Sequence, residues 1–280
     1  FLLQVFSDFD KQVILKDDVL EIMELIQSYI FRRQICGGLT SGHGEFFAKL
    51  YDRVDKDDRQ KYVESVKAEF QIMEGKYRFP ADDEFMSHLL IEDMYNRKPN
   101  DYPLLKMENF LRPKEKVGIL NLPTVTIEHI LPQNPNLSKD WQDELGDDWK
   151  GKQSLYLNCL GNLTITQLNS ELGDLSFPEK KEKGFNNTPY YLSGELKHLE
   201  HWNGDEIEKR TKELADLALE VWKHPKLSNE IMEKYKEPEE DVDDKELEPE
   251  ETWETIRKLA KPEAIELQDE VIKQVVEKLI

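Results

Sequence analysis

The sequence predicts a mainly α protein of the α+β kind, with a helical first part followed by a small mixed region. Two observations carry this. Apolar positions recur at helical spacing near both ends of residues 17–223, and the only β-branched runs are two short ones between them. Those runs are Thr124-Val125-Thr126-Ile127 and the stretch Leu160 to Thr166 (LGNLTIT).

Residues 1–118 read as helical. From Asp17 to Arg33, the residues Val19, Ile22, Met23, Ile26, Tyr29 and Ile30 share one face. Asp17 and Asp18 stand at the start and Arg32 and Arg33 at the end, each with the sign that the helix dipole favours. Gly37-Gly38 ends that helix. Further helices are expected over Glu45 to Val54, over about Asp58 to Met73 with Tyr62, Val63, Val66, Phe70 and Met73 inward, and over about Asp82 to Tyr95. His88 in the last of these reads as a structural or surface histidine.

Residues 119–175 change character, within a second domain expected over 119–225. The run ending in Ile127 is followed by a proline-containing turn and predicts a strand, as does Leu160 to Thr166. A polar, tryptophan-bearing insert, residues 134–159, lies between them. Gln167 to Leu172 predicts a short helix stopped by Gly173. Residues 205–223 predict an amphipathic helix, with Asp205 as N-cap, Glu208 completing a capping box, and Ile207, Leu214, Leu217, Ala218, Val221 and Trp222 inward. Residues 226–254 read as an acidic linker, and 255–280 as a helix, with its periodic part at 263–280, that begins a further domain or an association surface.

Composition narrows the class. The chain has 280 residues and a net charge of −20. Half of that excess lies in residues 237–254, which hold eleven acids and one lysine. An acidic total predicts weak nucleic-acid affinity, because phosphate binding favours basic surfaces. No run of apolar residues is long enough to span a bilayer, so no membrane partner is expected. Cys36 and Cys159 form no CxxC pair, which argues against a disulfide framework and against a zinc site. A reducing cytoplasm is the expected compartment. The chain opens inside an apolar segment (FLLQVF) and closes on VVEKLI, so it reads as part of a longer protein.

The string with chemical content is TVTIEHILPQ, residues 124–133. It sets an acid and an imidazole side by side and follows them with a proline turn. Hydrolysis of a phosphodiester needs a base for water and a cation for the charge that develops on phosphate and leaving oxygen. A histidine is neutral often enough near pH 7 to serve as that base. A carboxylate with an amide oxygen suits Mg²⁺ or Mn²⁺, hard ions that keep several waters. Taken singly, His129 reads as a buried structural histidine, Asn162 as a turn residue and Asn169 as a helix-start residue. Together, in strand–loop–strand–helix order, they favour a nuclease centre.

Glu128-His129-Ile130-Leu131-Pro132-Gln133 resembles the opening of HNH nucleases. Gly161-Asn162-Leu163-Thr164-Ile165-Thr166 is similar to their middle strand, and Gln167 to Gly173 to the helix that brings the last ligand. The wider pattern, over about residues 17–223, resembles the C-terminal nuclease part of GmrSD-type, modification-dependent (type IV) restriction enzymes. The resemblance implies a ββα-metal core flanked by helices. It implies His129 as general base, Asn162 fixing the hairpin and holding the His129 ring, and Glu128 and Asn169 as ligands of Mg²⁺ or Mn²⁺. It also implies base-modified DNA, such as phage DNA, as substrate, and an N-terminal nucleotide-hydrolysing domain outside this chain as partner. Lys180, Lys181 and Arg210 are candidate phosphate contacts, with ordinary ion pairs as the competing use of each. His198 and His201 read as surface histidines. The competing reading of the whole is a non-catalytic helical interaction module whose acidic tail mimics nucleic acid; cleavage of RNA rather than DNA also fits the motif.

Overall fold

The computed structural model describes residues 1–38, 43–97, 99–112 and 125–235. Thr124, the acidic stretch 237–254 and the expected helix at 263–280 lie outside the described residues. The chain divides into two compact units. The first takes Phe1–Ile30, Gly38–Phe79 and the chain from Pro225; the second takes Phe31–Gly37 and Pro80–His224.

The first unit is helical. It holds α1 (Leu2–Asp10), most of α2 (Lys16–Ile35), α3 (His43–Leu50), α4 (Arg59–Ile72) and a short helix over Asn229–Tyr235. Asp58 caps α4 by accepting from the Gln60 N–H. The predicted inward residues Val19, Ile22, Ile26, Tyr29, Tyr62, Val63, Val66 and Phe70 are buried in one core. Tyr29 lies among the rings of Phe46, Phe70 and Phe79. Asp8, buried with them, accepts from the hydroxyls of both Tyr51 and Tyr62 at 2.9 Å.

The second unit holds the end of α2 from Phe31, then α5 (Asp82–Leu89), α6 (Tyr102–Leu111), β1 (Thr126–His129), α7 (Lys139–Leu145), α8 (Trp149–Tyr156), β2 (Leu163–Thr166), α9 (Asn169–Leu172), α10 (Phe177–Lys180), α11 (Tyr191–Gly194) and α12 (Gly204–Val221). Among the described residues the only sheet is the antiparallel pair of β1 and β2, with Glu128 opposite Thr164 and His129 opposite Leu163. The α9 helix lies beside β1, and Gly173, at φ +34°, ends it. The α12 helix serves two cores. Leu214, Ala215 and Ala218 join Phe31, Phe85, Leu163 and Ile165, while Ile207 joins Ile130, Leu131, Trp141 and Trp202.

Several boundaries differ from expectation for physical reasons. The α5 helix stops at Leu89 rather than near Tyr95, because the Asp93 carboxylate accepts from Asn96 and the Met94 N–H turns to the carbonyl of Asn158. The β1 pairing starts at Thr126, so Glu128 and His129 are inside the ladder. The insert at 134–159 forms two helices. Asn203, not Asp205, caps α12 through Glu206 N–H, and Glu208 accepts from the Tyr156 hydroxyl at 2.5 Å instead of completing a box. At Gly161 the backbone of α12 comes so close that a Cβ would strike Ile207 and Thr211. Glycine there permits the approach that the Gly161 N–H uses, at 3.2 Å from Thr211 Oγ1.

Candidate active site on the hairpin

Adjacent on β1, Glu128 and His129 send their side chains in different directions, as the strand pleat requires. Glu128 is 1% exposed and its Oε1 accepts from Lys180 Nζ at 2.5 Å. Lys180, at 0% exposure, also donates to the carbonyl of His129 at 2.7 Å. Removal from water penalises both charges. Burial pushes the Glu128 carboxyl up to about 7 even though Lys180 opposes it, and pushes the Lys180 ammonium down against the pull of Glu128. Glu128 Oε2 makes no hydrogen bond among the described residues.

The His129 ring meets a different set of groups. Its Nε2 lies 3.1 Å from Asn158 Oδ1. Asn158 Nδ2 donates to Asp93 Oδ2 at 2.9 Å. The carboxylate can only accept, so it orients the amide with its oxygen toward the imidazole. A neutral His129 then carries its proton on Nε2 and keeps the Nδ1 lone pair free. Burial lowers the pKa of His129 below the usual 6.5; Asn158 and Asp93 work against this and Lys180 with it. Near pH 7 the ring is neutral. Burial alone would raise Asp93, but bonds from Asn96, Asn158 and Tyr95 outweigh it and hold that carboxyl below the usual range. Tyr95 packs edge-on against the imidazole, with centroids 4.4 Å apart.

Asn162 is fully buried and saturated. Its Oδ1 accepts from Leu131 N–H at 2.7 Å and Trp202 Nε1 at 3.1 Å. Its Nδ2 donates to the carbonyls of Leu131 at 3.1 Å and Leu157 at 2.8 Å. It fixes the chain just after β1, while the expected grip on the His129 ring falls to Asn158. Asn169 opens α9 with an exposed side chain. The Glu128 carboxylate and the Asn169 amide are oxygen donors of the kind that a hard ion such as Mg²⁺ or Mn²⁺ takes.

The three cations expected at phosphate are engaged within the protein. Lys180 pairs with Glu128. Lys181 donates to the carbonyl of Leu199 and lies over the Phe177 ring. Arg210, buried on α12, gives its guanidinium to the carbonyls of Gly161, Leu163 (2.9 Å) and Leu192 (3.1 Å), and burial pushes its pKa down to about 10. Buried carbonyls need donors, and an arginine fork supplies three carbonyls from two segments at once. His201 pairs with Glu144 at 3.2 Å. Sequence reasoning missed Asn158 and Asp93: one lies in the insert and the other in the turn after α5, and no spacing links them to His129.

A helical unit that carries a strand pair, a following short helix and a neutral histidine held by an amide and a carboxylate is organised as a hydrolase centre is. Residues 79–217 match the family described as GmrSD restriction endonucleases, C-terminal domain, and that stretch belongs to this family. The match nearly coincides with the second unit. The family implies a restriction-endonuclease module with DNA as substrate. No curated protein and no solved structure matches the chain. No helix among the described residues is long and apolar enough to cross a membrane.

Proposed function

We propose that the second unit is a metal-dependent DNA endonuclease of the HNH type in which His129 takes a proton from the attacking water at Nδ1. The observation that carries this reading is the line Asp93–Asn158–His129, which selects one tautomer of a neutral imidazole. As the ring gains its proton, Asp93 stabilises the imidazolium through Asn158. Glu128, through Oε2, and Asn169 would hold Mg²⁺ or Mn²⁺. A bound ion of that kind neutralises charge growing on the phosphate and the leaving oxygen. Lys180 keeps the carboxylate and the strand end in place. Lys181, partly exposed and with N–H donors beyond the one given to Leu199, remains as a phosphate contact. The family match supports DNA as the target; in this proposal that DNA bears modified bases, such as phage DNA, and a nucleotide-hydrolysing domain elsewhere in the protein controls cleavage in a reducing cytoplasm.

The test is nicking of plasmid DNA, modified and unmodified, by the chain in Mg²⁺ or Mn²⁺, with an RNA of equal length in parallel. His129→Ala is expected to lower the rate by about 10² to 10⁴, the usual worth of a positioned base. Equal cleavage by His129→Ala would remove the assignment, and cleavage of RNA alone would change the substrate.

A further inference from the structure

We propose a second metal site, built by Cys36, Glu84 and His88 and suited to a single Zn²⁺ that clips the end of α2 to α5. The three residues come from two separate stretches of the chain that the second unit brings together. One ligand atom from each lies within 4.8 Å of the others. Ligands of a tetrahedral zinc, bonded at about 2.0 to 2.3 Å, stand roughly 3.3 to 3.8 Å apart, so closure needs a shift of about an ångström. Glu84 and His88 are four apart on α5 and therefore share a face. Cys36 follows the last residue of α2, where the helix carbonyls favour a positive charge.

The surroundings strengthen the assignment. His88 Nδ1 lies 3.5 Å from Glu92 Oε1, and Arg97 in turn binds Glu92. An imidazole whose Nδ1 faces a carboxylate offers Nε2 to a metal, the usual outer-shell arrangement at zinc. Cys36 lies near enough to the Arg32 guanidinium for the two to interact electrostatically. The two helices are already held in register. Arg32 donates to Asp82 at 2.7 Å, and the Phe31 and Phe85 rings lie 5.9 Å apart. All three ligand residues are partly exposed, so an ion and the water completing its shell can enter. A thiolate, an imidazole and one carboxylate select zinc over the hard ions that suit Glu128 and Asn169. The CxxC criterion misses this site because its ligands are one cysteine and an i, i+4 pair far along the chain.

Cobalt substitution separates the two sites. The metal-free chain, titrated with Co²⁺, is expected to develop a thiolate-to-metal absorption band in the near ultraviolet that saturates at one equivalent. Zn²⁺ should displace it and raise the thermal midpoint. Cys36→Ser should abolish the band and the zinc-induced rise, with circular dichroism showing that the fold is kept. His129→Ala should leave both intact. Glu92→Gln, which touches no ligand atom of the ion, should weaken binding by about 10 to 100-fold. No band, or a band that survives Cys36→Ser and disappears in Cys159→Ser, overturns the site. Either result leaves the nuclease assignment standing, since plasmid cleavage in Mg²⁺ reports on the hairpin site and not on Cys36, Glu84 or His88.

Discussion

Glu128 and His129 are neighbours on one strand, yet burial acts on them to opposite ends. Glu128 faces a single lysine, and burial pushes both partners toward their neutral forms. His129 faces an amide that is itself anchored on an ionised carboxylate, and burial leaves the ring neutral with one nitrogen free. The first arrangement holds a charge pair that the protein must keep matched. The second holds a base whose charge is meant to change. One residue of register separates a lysine-held carboxylate, proposed as a metal ligand, from an imidazole proposed as the base.

The largest expected effect breaks the first half of that contrast. Lys180→Met leaves Glu128 buried without its partner, a change that typically costs about 3 to 5 kcal/mol. Chemical denaturation should show it. The double variant Glu128→Leu with Lys180→Met should recover most of the loss, because an apolar pair of similar volume pays no desolvation. If the single variant is as stable as the parent, Glu128 and Lys180 do not depend on each other. His129→Ala should behave the other way, losing about 10² to 10⁴ in cleavage with only a modest change in stability.

Next comes Asp93→Asn, aimed at the second half. It frees the Asn158 amide to turn, so the imidazole loses its fixed tautomer while every group at the metal stays. A loss of roughly 10 to 100-fold in cleavage is expected, comparable to removing an outer-shell partner elsewhere. Binding of DNA to the inactive form should be unchanged. A rate equal to the parent's would show that the carboxylate does not act through the ring.

The strand pair illustrates what a sequence can and cannot carry. Thr126 to His129 and Leu163 to Thr166 were legible because β-branched residues suit a pleated surface, and the short helix at Asn169 because Gly173 stops it at positive φ. The α4 helix was legible from the spacing of its apolar residues. Asn158 was not, because its role depends on α8 returning the chain to β1. Arg210 misled for a related reason. An arginine on an amphipathic helix suggests an ion pair or a phosphate, and only the packing of α12 against β2 and α11 reveals three carbonyls awaiting donors. Local rules locate elements; the partners of a buried polar group are set by how the elements pack.

The smallest effect is also the cleanest reading of the contrast. In the metal-free chain, NMR titration of the His129 ring should give a pKa below the ordinary 6.5. Because the folded value is depressed, His129 stabilises the fold above about 6.5, and that contribution is lost as pH falls through the folded value, where the unfolded chain takes up the proton more readily. Asp93 pulls the pKa upward, so Asp93→Asn should lower it further and move the acid limb of stability the same way. The shift should be small, since the two groups act through an amide rather than in contact. An upward movement would mean that the carboxylate does not favour the imidazolium, and the line from Asp93 to His129 would then be a scaffold without an electrostatic part in the reaction.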